Sequence, residues 1–145
     1  MDYMFMSEPD KKAGANPIIV MVDEETGDKY ARATGRKGLG DDGAMEWLIR
    51  DMADELKSWG HTGGEHSHLI LKSDGEGSIK AVRDTLGKFH GGRVIPESPP
   101  KGESSSNGVV EQAGQLVREY FRVFKEQLEE KSGVELKDDD PIVQW

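Results

Sequence analysis

Apolar residues recur every three and four positions across residues 44–59: Met45, Leu48, Ile49, Met52, Ala53, Leu56 and Trp59 share one helical face. Asp41 or Asp42 precedes this helix as a cap, and Gly60 follows as its stop. A longer periodic run over 108–131 carries Val109, Ala113, Leu116, Val117, Tyr120, Phe124 and Leu128 as its expected buried stripe, ended by Ser132-Gly133. A shorter helix, capped by Ser78, aligns Ile79, Val82 and Leu86. The remaining apolar runs read as strands at 2–6, 17–22, 29–34, 68–73 and 93–95. The second of these, Pro17-Ile18-Ile19-Val20-Met21-Val22, is continuous enough to be buried on both faces. Between them lie a polar break at 7–16, a turn at 23–28, a glycine-rich connector at 35–43, a loop at 61–66, a turn at Gly91-Gly92 and a Pro/Ser-rich stretch at 96–108. The predicted order is three strands as an antiparallel meander, then helix, strand, helix, strand, helix: an α/β chain with a mixed five-stranded sheet and flanking helices. No internal repeat interrupts it.

The length of 145 residues fits one domain, and a low apolar fraction with 18 glycines predicts modest stability. The absence of cysteine excludes disulfides, a thiolate nucleophile and a cysteine-based zinc site. His61, His66 and His68, with glycines among them, read as loop and strand-edge residues rather than metal ligands. With neither a membrane-length apolar run nor a signal peptide in the sequence, a soluble, intracellular chain without a membrane partner is expected. The net charge of −9 has the wrong sign for binding that relies on nonspecific attraction to phosphate.

Two carboxylates frame the chemistry. Asp74 ends the strand His68-Leu69-Ile70-Leu71-Lys72-Ser73, and Glu111 falls in the first turn of the last helix, with thirty-six residues between them. Acids at a strand end and a helix start can converge, and such oxygen-rich clusters suit Mg²⁺ or Mn²⁺. The text around them, "LILKSDGEGSIKAV" and "RVIPESPPKGESSSNGVVEQAGQLVREYFR", resembles the catalytic core of retroviral and LTR-retrotransposon integrases, in which the third acid follows an Asn-Gly or Gln-Gly pair at a helix head. The predicted element order is also that of the ribonuclease-H-like fold these cores share. The resemblance covers residues 2–131 as a core truncated at both ends, stopping before the family's last helix, and leaves 132–145 as an acidic linker and the start of a further element.

The resemblance implies a two-metal polynucleotidyl transferase with Asp2, Asp74 and Glu111 as metal-binding catalytic acids. Asp2 occupies the family's first-strand position, in "DYMFM". Asp23, in "IVMVDEETG", is a second candidate, because fifty residues separate it from Asp74, a spacing some relatives show between their first two acids. Read singly, Asp23 is a turn former, Asp74 a turn cap and Glu111 a helix-dipole partner. The implied reaction is processing of a DNA 3′ end and its transfer to target DNA, by in-line attack of water or a 3′-hydroxyl on a phosphodiester. Asn107 and Gly108, with Lys101 nearby, take the position of the family's DNA-contacting loop. Gln115, Arg118 and Arg122 follow Glu111 at helical intervals as a row able to meet DNA; many family members have lysine where Gln115 stands. Implied partners are element-end and target DNA, other domains of a longer Pol polypeptide and a second copy. The implied location is the nucleus or a cytoplasmic particle of a eukaryotic host. A transposase or ribonuclease-H-like nuclease of the same fold, and a catalytically silent binding or oligomerisation module, are the alternatives.

Overall fold

The computed structural model describes residues 1–40, 45–99, 108–137 and 140. Its elements are β1 (Asp2–Met4), α1 (Glu8–Ala13), β2 (Ile18–Val22), β3 (Lys29–Ala33), α2 (Glu46–Ser58), β4 (His68–Lys72), α3 (Gly77–His90), β5 (Arg93–Glu97) and α4 (Gly108–Ser132). The fold is mixed α/β, and every expected strand and helix is present. Asp41, Asp42, Lys101 and Asn107 lie outside the described residues.

Alternation along β2 builds the layers. Ile19 and Met21 turn to one side, where they meet Leu48 and Met52 of α2, Ile79, Val82 and Leu86 of α3, and Leu69 and Leu71 of β4. Val20 turns to the other side and packs with Met4, Val110 and Ala113. Helices α2 and α3 therefore cover one sheet face, while α4 covers the other. α4 packs on β1 at Gly114, where an added Cβ would make an ordinary contact 3.4 Å from Met4 Sδ. Beyond the core, Asp51 of α2 accepts from Tyr30 Oη at 2.7 Å and from Arg32 Nε at 3.0 Å, tying β3 to the helix.

The sheet differs from the single five-stranded one expected. β1, β2 and β3 form an antiparallel sheet, and β4 pairs with β5 in a separate parallel one. A backbone bond crosses the seam, from the Met1 amino group to the Lys72 carbonyl at 2.7 Å. β1 is three residues long and pairs with β2 alone.

Three local expectations change as well. Residues 7–16, read as a polar break, contain α1: Ser7 Oγ accepts from Asp10 N–H, Pro9 sits in the first turn, and Gly14 closes the helix at φ +65°. α1 buries no residue, so apolar periodicity could not reveal it. Ser78 does not cap α3; Glu76 is the N-cap, and Ser78 Oγ donates to its carboxylate. In α4 the expected stripe is buried in its first turns only. Val110, Ala113 and Gly114 are covered, whereas Val109, Tyr120, Phe124 and Leu128 are exposed. A 25-residue helix spans about 37 Å, while the five-residue strand β2 spans roughly 17 Å, so α4 overshoots the sheet that it covers.

Candidate functional site

Asp2 stands on β1 and Asp74 just past the end of β4, the two strands that border the β1–β4 seam. Asp2 starts β1 and, by alternation with Tyr3, turns to the α4 side; its Oδ1 accepts the Tyr3 N–H at 2.7 Å. Burial pushes its pKa up, the Tyr3 N–H bond pulls it down, and the negative charge of Asp74 pushes it up again. Asp74 follows β4 and accepts the Gly75 N–H at 2.5 Å. These two acids come from separate sheets and sense each other's charge.

The segment carrying Asp74 is anchored from behind. Ser73 is fully buried, its N–H donates to Glu97 O at 3.1 Å, and its Oγ accepts from Arg83 at 3.2 Å. Arg83, itself buried, also donates to Glu97 O at 3.0 Å and Ser98 Oγ at 2.8 Å. On the other flank Lys37 pairs with Glu76 at 2.7 Å and lies over the rings of Tyr3 and Phe5, and its charge lowers the pKa of Asp2. Neither Arg83 nor Lys37 was singled out in the sequence, because each acts through a contact distant along the chain.

Glu111 is exposed in the first turn of α4, and it lines one cavity with Asp2, Gln115, Arg118 and Arg122. The row expected on α4 therefore shares a wall with two of the three acids. Arg118 donates to Phe5 O at 3.0 Å, which pins α4 against the strand end, while its Nε is buried without a partner. Lys11 of α1 closes the same cavity and was missed together with α1 itself. Gly108 is the first residue of α4. Among the described residues, no three His, Cys, Asp or Glu side chains stand close enough to hold one metal ion. Asp74 is near enough for its charge to raise the pKa of Asp2, and Glu111 lines the cavity beside Asp2 without completing a ligand set.

Asp23 belongs to a different place. Its Oδ1 accepts the Glu25 N–H at 2.9 Å and its Oδ2 meets His61 Nε2 at 3.3 Å. The Glu25 bond comes first among the causes that lower its pKa. It shapes the β2–β3 turn and lines a separate cavity. Among the described residues no helix is long and apolar enough to cross a membrane. Searches of protein-family models and of curated proteins find no match to this chain.

Proposed function

We propose that the chain is a catalytic core of the integrase type with a ribonuclease-H-like fold, acting on DNA phosphodiesters through Asp2, Asp74 and Glu111. The observation that carries this reading is that the charge of Asp74 reaches Asp2 across the seam, while Glu111 and the Gln115–Arg118–Arg122 row line a cavity with Asp2. The donor set fits a hard divalent cation: the oxygens are carboxylates, and Asp2 is held towards its protonated form by burial and by a like charge, both of which a cation would offset. Asp2, Asp74 and Glu111 would hold Mg²⁺ or Mn²⁺ only after drawing closer together than they stand here. When bound, the ions supply a lowered pKa for an attacking water or 3′-hydroxyl and stabilisation of the leaving oxygen.

The chain's own residues bind and orient. Ser73 and Arg83 fix the Asp74 backbone, and Lys37 balances charge beside Asp2. Gln115 offers donors and Arg122 a cation along α4, suited to a phosphate backbone running from the acids. The net charge of −9 leaves much of the DNA affinity to partner domains or a second copy. A second reading, a catalytically silent binding module, draws support from the exposed apolar residues of α4.

The test is Mn²⁺-dependent cleavage and joining on a branched DNA substrate, comparing the chain with Asp2→Asn, Asp23→Asn, Asp74→Asn and Glu111→Gln. Activity lost in all but the Asp23 variant supports the assignment, and activity that survives Glu111→Gln sinks it. Hydrolysis of an RNA–DNA hybrid without joining of DNA ends would move the reading to a nuclease. Metal-indifferent partner binding in an inactive chain would favour the module.

A further inference from the structure

The exposed apolar side chains of α4 share a face. At about 3.6 residues per turn, Leu116, Tyr120, Val123 and Phe124 fall within an arc of roughly 100°. Leu116 is half-buried, and the other three are 57%, 48% and 66% exposed. The rings of Tyr120 and Phe124, one turn apart, stand 6.4 Å between centroids, a pair already ordered for contact. The Gln115–Arg118–Arg122 row lies across the helix from this arc, on the cavity side. The chain after α4 returns on that side too: Leu136 is buried, and its N–H donates to Glu129 Oε1 at 2.8 Å. The described part of the tail therefore leaves the apolar arc uncovered.

The border of the arc defines its occupant. Glu119, Glu126 and Glu130, spaced i, i+7 and i+11, run as an exposed row along one edge of it. Among the described residues none of the three has a cation within ion-pair distance. Glu126 and Glu130, one turn apart, repel each other, a cost that an incoming cation removes. The surface therefore matches apolar side chains bordered by positive charge. A second copy brings the wrong sign: it carries a net charge of −9, and antiparallel pairing about a two-fold axis sets the acid row against its own image. An anionic membrane surface is repelled likewise. A straight stripe along one helix is matched by the apolar face of another, packed ridge into groove.

We propose that this face of α4 docks a basic amphipathic helix of another protein. The apolar side of that helix rests on Tyr120, Val123 and Phe124, and its lysines or arginines meet Glu119, Glu126 and Glu130. The aromatic pair anchors the contact, while the acids select the partner's charge and speed its arrival. A helix docked there leaves Glu111 and the cavity side of α4 free.

The probe is a synthetic leucine–lysine amphipathic helix of about 20 residues, long enough to hold its helix, with a leucine–glutamate helix of the same pattern as counterpart. Binding to the whole chain is followed by NMR amide shifts and fluorescence anisotropy without divalent metal or DNA, so the outcome is independent of the catalytic reading. The leucine–lysine helix is expected to shift amides between Leu116 and Glu130, and the leucine–glutamate helix to leave them unmoved. Phe124→Ser should weaken binding by about tenfold. Glu119→Lys, Glu126→Lys and Glu130→Lys together should transfer binding to the leucine–glutamate helix. All four positions are exposed, and the Leu48 and Met52 amides of α2 report that each variant is folded; Phe124→Ser decides alone should the triple variant unfold. Shifts centred on other elements, binding that survives Phe124→Ser, or a charge reversal that leaves the preferred helix unchanged overturns the proposal. A parent chain that sediments as a dimer and turns monomeric in Phe124→Ser also overturns it, because the face would then be a contact between copies.

Discussion

Acetylating the Met1 amino group should make the protein more stable in mild acid and leave its stability near pH 8.5 almost unchanged. The amine is buried against the Lys72 carbonyl, and burial is the main cause that drives its pKa from 8.0 to about 6. The folded-state pKa is the lower one, so the unfolded chain holds this proton more tightly. Stability is therefore lowered in full below pH 6, recovers as pH rises from 6 to 8, and is unaffected above 8. A shift of about two pK units corresponds to roughly 3 kcal/mol of penalty at the acid end. Acetylation removes the charge and keeps one N–H to donate to Lys72. Urea unfolding of both forms between pH 5.5 and 8.5 should give a difference of about 2–3 kcal/mol at the acid end that closes towards the alkaline end. The other titrating groups are common to both forms and cancel in the comparison. A difference constant across this pH range would refute the reasoning, because it would mean the acetyl group acts by packing and the buried charge contributes nothing.

Three further outcomes follow from the contacts described. Asp74→Asn should lower the pKa of Asp2 by removing a like charge, and Lys37→Met should raise it, both read by carboxyl-carbon NMR titration; opposite signs would place Asp2 elsewhere. Arg83→Met should destabilise the fold by about 3 kcal/mol in chemical denaturation, because Ser73 Oγ, Glu97 O and Ser98 Oγ lose a shared buried donor. His90 is buried with both ring nitrogens unpartnered, and burial lowers its pKa below the ordinary 6.5. The unfolded state again takes the proton first, so His90 should contribute a loss of stability as pH falls below 6.5 that disappears in His90→Met; urea titrations at pH 5 and 7 check it.

How much could be read from the sequence follows the range of the forces involved. α2 was legible because seven apolar residues repeat on one face, and β2 because its apolar run is unbroken. α1 was not, since it rests on the Ser7 cap, Pro9 and Gly14 alone. Its signals were present in the text, but they are signals of capping rather than burial. The periodicity of α4 located the helix correctly and overstated its burial, because amphipathicity says which face is apolar and nothing of how long a sheet lies beneath it. The acids divide in the same way. Asp74 and Glu111 were found at element ends through local patterns and the resemblance those patterns support. Asp23 had the attractive spacing, yet its carboxylate is occupied by the Glu25 N–H and His61. Arg83 and Lys37 left no local mark, since their partners lie along Ser73, Glu97 and Ser98, or across to Glu76 and the Tyr3 and Phe5 rings.

The seam between β1 and β4 makes affinity and rigidity one quantity at this site. Asp2 and Asp74 ride on different sheets, so their separation is set by how the two sheets pack and by the Met1–Lys72 bond between them rather than by one continuous ladder. Any species that grips both carboxylates at once acts as a staple between the sheets, and part of its binding energy is spent in holding the domain shut. Ligand binding at the acids should therefore be felt as far away as β3 and β5, as a stiffening of the whole body rather than a local event.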